Sequence, residues 1–492
     1  MKKTYIVVAS AIMILFCLMY SVSYAYFSIK VTNNFNGGSK GSTVIGSDTV
    51  KDIIISNGTK VTSQNMLPGD TVTSNFTVQN QNAVSICFGL VWTDVLNEFT
   101  RQQDLVFTLK EENGETLLEN VKFPSTNNQT IIEGLSIPAK TTKKYILTVT
   151  YKSVNEDQTT DMNKKFHATI TGKVTECKKT ATETITTLVS GANKSSTDVY
   201  TVPNKTSSSC TYTLAYDGTS DNNLRYVGKN PCNYVTFNGE KAGWRIIGIL
   251  NTPEGQRMKL IRTNSIGDYS WDNKASGTGS STSVLGSNDW TDSTLKEVLN
   301  NGAYYNKTSG TCPSGRNGET TSCNFTSNGL TETAKNQIDT ITWKLGGTAN
   351  FDSSSNGLAS HWYSYERGTT VYAGRPTKWQ GKVGLMYLSD YGYATSGGTS
   401  MNRASCLAKE LYNWEGASDC KNNDWLLDSS LSRWTLAPTS FDSYGVFDVS
   451  YAGRVNNPPA SHLSTVHPSV YLISKTSILG GEGTLEKPYE IG

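Results

Sequence analysis

Charge is scarce in this sequence. Asp, Glu, Lys and Arg make up 17% of its 492 residues and leave a formal net charge of +2. That excludes the basic stripe of a nucleic-acid binder and the polybasic patch of a protein held to anionic lipid. Histidine is scarcer still. His167, His361, His462 and His467 are the full complement, and none is followed by Glu, so the H-E-x-x-H zinc helix is absent. His462 and His467 flank Leu-Ser-Thr-Val, a spacing that does not put both on one helical face. No G-K-[ST] phosphate loop and no C-x-x-C pair occurs, which removes P-loop chemistry and the commonest zinc spacings. Beyond the first residues no apolar run approaches the ~20 residues of a membrane helix. The final "GTLEKPYEIG" has neither a hydrophobic tail nor an LPxTG signal.

The one long apolar run is at the start. "MKKTYIVVASAIMILFCLMYSVSYAYFS" carries Lys2 and Lys3, then the run, then small residues at Ser23 and Ala25. This is the layout of a signal peptide cut before Tyr26; the alternative is an uncleaved anchor from Tyr5 to Phe27, the chain's only expected membrane contact. Cysteine use agrees with export to the cell surface or the medium. Cys17 lies in the leader, and eight remain: Cys87, Cys177, Cys210, Cys232, Cys312, Cys323, Cys406 and Cys420. An even number in an exported chain predicts disulfides. Spacing favours Cys210–Cys232, Cys312–Cys323 and Cys406–Cys420, leaving Cys87–Cys177; free, buried thiols are the alternative.

Residues 26–177 read as strands. Period-2 runs place Val72, Phe76 and Val78, then Leu105, Phe107 and Leu109, then Tyr145, Leu147, Val149 and Tyr151, then Phe166, Ala168 and Ile170 on inward faces. Such alternation between Gly- and Pro-rich turns predicts an all-β sandwich, Ig- or jelly-roll-like. Residues 178–209 are Ser/Thr/Lys-rich and predict a linker. Residues 210–478 predict an α+β domain: nine of the ten tryptophans lie there, after residue 243. "NYVTFNGEKAGWRIIGIL" reads as a hairpin turning at Asn-Gly, with Trp244, Ile246 and Ile249 buried. "DWTDSTLKEVLNNG", "TETAKNQIDTITWKLGG" and "SCLAKELYNW" read as helices, the first capped by Thr291 or Asp292 and ended by Gly302. "GKVGLMYLSDYGYAT" reads as a buried strand leading to an aromatic loop. Residues 479–492 read as a Gly-rich tail without chemistry.

Two surfaces are candidates for binding. In "SRWTLAPTSFDSYGVFDVSYAGRV" the apolar Trp434, Leu436, Val446, Phe447, Val449 and Val455 alternate as core. Between and beyond them, Phe441, Tyr444, Tyr451, Arg454 and Asn456 are expected on loops, in the Tyr/Ser/Asn chemistry that binding loops favour; solvated turns are the alternative. In "SHWYSYERGTTVYAGRPTKW", Trp362, Tyr365, Arg367 and Trp379 are expected to stack on sugars or, as aromatics more often do, to be partly buried. No catalytic set is found. Asp289 and Asp292 are better explained as caps.

Two resemblances add to this. "AYFS" with "NMLPGDTVTSNFTVQNQNAVS" resembles the TasA/camelysin family of exported matrix proteins, over about the first third of the chain. This implies a β-sandwich and self-assembly into fibres through a donated N-terminal strand, here "YFSIKVTNNF". The metalloprotease activity attributed to camelysin has no matching motif. "VTFNGEKAGWRIIGIL", "GLASHWYSYERGTTVYAGRPTKWQGKVGLMYLSDYGYAT", "CKNNDWLLDSSLSRWTLAP" and "VHPSVYL" resemble a recurrent surface-protein domain of gut Firmicutes. Its last part is similar to the C-type-lectin-like fold shared with formylglycine-generating oxidases. The resemblance implies ligand contacts near 440–456 and a calcium-binding possibility, although no EF-hand loop is present. The chain departs from the pattern at His467, where the family has Arg before Pro. An oxidase would need Cys406 and Cys420 as a reactive pair. The expectation is therefore non-enzymatic adhesion to glycans or proteins of host or neighbouring cells, the alternative being a fibre subunit of an extracellular biofilm matrix.

Overall fold

The computed structural model describes residues 25–36, 53–57, 61–83, 85–112, 114, 116–175, 179–203, 205–274, 285–353 and 356–492. The expected leader lies outside these residues. Among them no helix is long and apolar enough to cross a membrane. The chain divides between residues 178 and 179 into two compact units, both rich in antiparallel sheet.

Among its described residues the first unit contains ten strands: β1 (Ala25–Asn36), β2 (Ile53–Asn57), β3 (Val61–Met66), β4 (Thr71–Asn80), β5 (Ile86–Asn97), β6 (Leu105–Glu111), β7 (Thr116–Lys122), β8 (Gln129–Ile137), β9 (Thr142–Tyr151) and β10 (Lys165–Thr175). They form two five-stranded sheets, ordered β3-β1-β10-β5-β8 and β2-β4-β9-β6-β7. The predicted alternation is realised. Phe76, Val78, Leu105, Phe107, Leu109, Tyr145, Leu147, Val149, Tyr151, Phe166, Ala168 and Ile170 are all buried in one core. Trp92 stands edge-on to Phe107 with ring centres 5.4 Å apart. The strand β1 pairs in parallel with β10 and antiparallel with β3, so it is an interior strand of this chain's own sheet. Cys87 on β5 is disulfide-bonded; its expected partner Cys177 lies outside the described residues.

The second unit begins earlier than its composition suggests. The stretch expected as a linker carries the helix Ala181–Leu188, with Thr180 and Glu183 in a reciprocal capping box. Ala181 and Ile185 are buried in the unit's core. Short strands follow at Asn193–Lys194 and Tyr200–Thr201, the first members of an eleven-stranded sheet. The expected hairpin is present. Tyr234–Phe237 turns through Asn238 (φ 60°) and Gly239 (φ 75°) into the long strand Glu240–Thr252. Two positive φ values in succession define the turn that matches strand twist. The expected tail is part of the same sheet, because Tyr489–Ile491 lies parallel to Tyr234–Phe237.

A second, five-stranded sheet holds Arg433–Pro438 and Val446–Val449. Trp434, Leu436, Val446, Phe447, Val449 and Val455 are core residues there, as the alternation predicts. Helices are shorter than expected. The first is Thr294–Asn300, capped by Ser293 rather than Thr291 or Asp292. The second ends at Gln337, and Ile341–Lys344 is a strand. The third stops at Leu407. Two segments change type. Ala359–Arg367, expected as a loop, is a helix. The predicted strand from Gly381 is a strand only at Val383–Gly384 and then the buried helix Leu388–Tyr393.

Cys210–Cys232, Cys312–Cys323 and Cys406–Cys420 are the three disulfides of this unit, paired as their spacing predicts. They fit an oxidising compartment. Each closes a short loop and restricts the unfolded chain, which stabilises by about 3 kcal/mol. Replacing Cys406 and Cys420 by Ser is expected to lower the unit's stability by about 2–4 kcal/mol in a denaturant titration. An unchanged midpoint would mean that this bond constrains nothing.

Candidate ligand-binding site

The structure separates the sequence candidates. Phe441 is 76% exposed and Tyr451 is 61% exposed. The carboxylate of Asp442 accepts from the backbone N–H groups of Tyr444 and Gly445, which fixes the turn behind Phe441. Tyr444 and Asn456 are half-buried, and Arg454 is exposed and paired with Glu415 at 3.3 Å. The second set does not form one stacking surface. Trp362 is fully buried, 4.7 Å from the Phe447 ring, because the helix Ala359–Arg367 turns Trp362, Tyr363 and Glu366 inward. Trp379 is half-buried opposite Trp343 across a two-stranded ladder. Tyr365 is half-buried against Trp362. Of this set, Arg367 reaches a cleft.

What lies beneath that cleft left no mark in the sequence. Asp390 is fully buried and accepts from two buried cations, Arg225 Nη1 at 2.8 Å and Lys259 Nζ at 2.6 Å. Arg225 Nε also donates to Asp217, at 2.9 Å. The Lys259 ammonium lies 4.3 Å from the centre of the Tyr387 ring and 5.3 Å from those of Trp343 and Tyr471. Burial alone would raise the Asp390 carboxyl; Lys259 and Arg225 overcome it and hold it down to about 2. Burial pulls Lys259 down, and Asp390 restores part of the loss.

Above this array is a cleft of about 310 Å³. It is lined by Asp221, by Asn251, Thr252 and Pro253 at a strand end, by Ile341, Thr342 and Lys344, and by Arg367, Tyr387 and Tyr471. Of the charged members, Arg367 and Asp221 are held by neighbours, and Lys344 through its backbone. Arg367 stacks with its guanidinium 3.3 Å from the centre of the Tyr363 ring, and its Nη1 donates to Glu366 at 3.2 Å. The Tyr363 hydroxyl donates to Asp221. The Tyr387 hydroxyl accepts from the backbone N–H of Lys344 at 2.8 Å and donates to its carbonyl at 3.1 Å. A close backbone approach sets the spacing: a Cβ on Gly346 would lie 2.1 Å from the Tyr365 carbonyl oxygen. Only glycine lets the strand carrying Lys344 pass this near the helix carrying Arg367.

Two buried carboxyls near these surfaces are pushed the other way. Burial raises Glu366 to about 7, against the pull of Arg367 and Ser389. Burial likewise raises Asp448 to about 7, against Ser464 and Asn456. His467 is buried, donates from Nδ1 to the Arg262 carbonyl at 3.1 Å, and is held well below its ordinary value by burial and by Arg433. Among the described residues no group of three or more His, Cys, Asp or Glu is arranged to hold a metal ion. Cys406 and Cys420, the pair an oxidase would need, are joined to each other.

Two outcomes follow from the buried groups. Asp390→Asn leaves two buried cations short of a counter-charge and is expected to cost about 3–5 kcal/mol in equilibrium unfolding. A loss within experimental error would mean that the array is not desolvated. Glu366 and Asp448 have folded values above their unfolded ones. Their contribution is complete below about pH 4 and is lost as pH rises through about 7. Stability of this unit is therefore expected to fall from pH 5 to pH 8, at most about 1.4 kcal/mol per pH unit for each group. Asp448→Asn should flatten that slope; an equally steep slope in the variant would assign the titration elsewhere. No family model matches this chain, and no curated protein matches it either, so the functional reading rests on the geometry of the cleft and its surroundings.

Proposed function

We propose that this chain is an exported bacterial surface protein whose second unit, a C-type-lectin-like module, binds ligands without transforming them. The ligands are glycans or proteins of host or neighbouring cells. One observation carries the reading: a cleft of about 310 Å³ lined by Arg367, Lys344 and Asp221, in which Arg367 stacks on Tyr363 and Asp221 accepts from the Tyr363 hydroxyl. That volume is at the small end of ligand pockets, which start at about 300 Å³. Polar ends fixed before a ligand arrives lose little entropy on binding. The exposed Phe441 and Tyr451 support adhesion, because large aromatic side chains in water gain free energy when a partner covers them.

A second reading, a fibre subunit of an extracellular matrix, is favoured by β1. This strand starts at the expected cleavage site, and its pairing with β10 is the one parallel pair within the first unit's described sheets. Exchange of β1 between copies would link subunits. Deleting residues 26–35 would abolish assembly measured by light scattering, and a full chain that stays monomeric at high concentration would remove this reading.

Binding is tested by capture of mucin, glycans and bacterial cells on the immobilised full chain. The Arg367→Gln/Lys344→Ala double variant is expected to weaken capture by about tenfold or more. Capture that is unaffected there but lost in Phe441→Ser/Tyr451→Ser would move the site to the loop tips. Absence of capture by the unmodified chain would end the adhesion reading.

A further inference from the structure

The charges at the cleft wall are of both signs, and they are adjacent. Asp221 Oδ2 lies 3.8 Å from Arg367 Nε, with the Asp221 side chain 38% exposed and that of Arg367 20% exposed. Lys344 adds a second cation that makes no ion pair among the described residues. Arg367 spends Nη1 on Glu366 and on the Tyr363 carbonyl. Its other terminal nitrogen has no partner among the described residues.

Each sign is also held in place. Asp221 is fixed by the Tyr363 hydroxyl and by Asn251 Nδ2, which donates to its backbone carbonyl at 2.6 Å. The guanidinium of Arg367 lies 3.3 Å from the centre of the Tyr363 ring. Neither can swing away to accommodate a ligand of the wrong charge. A simple anion would meet Asp221, and a simple cation would meet Arg367 and Lys344; like charges brought together in a cleft are unfavourable. A neutral ligand would strip water from the Asp221–Arg367 pair and from Lys344 and offer none of them a counter-charge.

From this arrangement we propose that the cleft takes a small zwitterion of the α-amino-acid class, with its ammonium on Asp221 and its carboxylate on Arg367 and Lys344. In such a ligand the two charges are separated by a single carbon, which matches protein charges 3.8 Å apart. An ω-amino acid carries them too far apart, and a sugar acid has only one. The cleft volume of about 310 Å³ suits one such unit, free or at the end of a larger molecule. This inference rests on the reading that the cleft is a binding site.

The test is calorimetric titration of the full chain with the common α-amino acids. Alaninamide, N-acetylalanine, 6-aminohexanoate and glucuronate serve as comparisons. At least one α-amino acid is expected to bind, with the amide and the N-acetyl form of that ligand weaker by about tenfold or more. Asp221→Asn should erase the preference over the N-acetyl form while leaving the preference over the amide. Arg367→Lys should reduce the preference over the amide, with unchanged thermal melts confirming the fold of both variants. Equal binding of the N-acetyl form, or of glucuronate, would overturn the zwitterion and leave the cleft as a binding site for acids. No binding by any of these, with capture of cell-surface material retained and dependent on Arg367, would overturn the inference and spare the adhesion reading. Loss of both would overturn both.

Discussion

The second unit is organised around the carboxylate of Asp390. That one group accepts from Arg225 on one strand, from Lys259 on another and from the backbone of Tyr387 at a helix start. Taking three charges out of water costs several kcal/mol per ion and is repaid only when each finds its partners at short range. The array therefore tolerates one arrangement of the strands Leu224–Tyr226 and Gly255–Arg262 against the helix Leu388–Tyr393. Hydrophobic burial alone would not be so selective, because apolar contacts can be repacked with modest loss. The charges thus specify the register that the tryptophan-rich core then fills.

The same array determines what lies above it. Tyr387 and Tyr471 cover Lys259 with their rings and line the cleft. Tyr387 also ties down Lys344 through two hydrogen bonds to its backbone. On the other side, Glu366 joins the buried helix Leu388–Tyr393, through Ser389, to Arg367. The helix Ala359–Arg367 thus has two faces with different work: Trp362 and Tyr363 pack into the core, and Arg367 reaches the cleft. A site on short segments and irregular connections becomes rigid in this way, through locks onto a core whose own geometry is fixed.

Period and local chemistry made much of the fold legible. Each inward residue named for the sandwich is buried except Val72, which packs half-buried against the same core, since a strict alternation has only one way to face a core. Asn238-Gly239 announced its hairpin by turn chemistry, and short spacing announced Cys210–Cys232, Cys312–Cys323 and Cys406–Cys420. The errors have physical causes. Leu388–Tyr393 is buried on every side, so its sequence has no polar stripe to separate helix from strand. The helix Ala181–Leu188 was hidden by threonine-rich composition, although Thr180-x-x-Glu183 is a helix-start signal. The ion array was beyond reach, because Asp390 is 165 residues from Arg225 and 131 from Lys259. No local pattern records contacts at that distance.

The placement of the tryptophans has a related cause. Aromatic density drew attention to Trp362 and Trp379, yet aromatic rings are the material with which a fold of short elements builds its core. The side chains the core does not absorb are a guanidinium, an ammonium and a carboxylate at the mouth of a cleft, and Phe441 and Tyr451 at loop tips. The two groups do different work. Apolar rings in water supply contact area and little discrimination, whereas opposed charges held 3.8 Å apart reject most ligands before they accept one. On the binding reading proposed above, selectivity resides in the cleft and the loop aromatics add contact area.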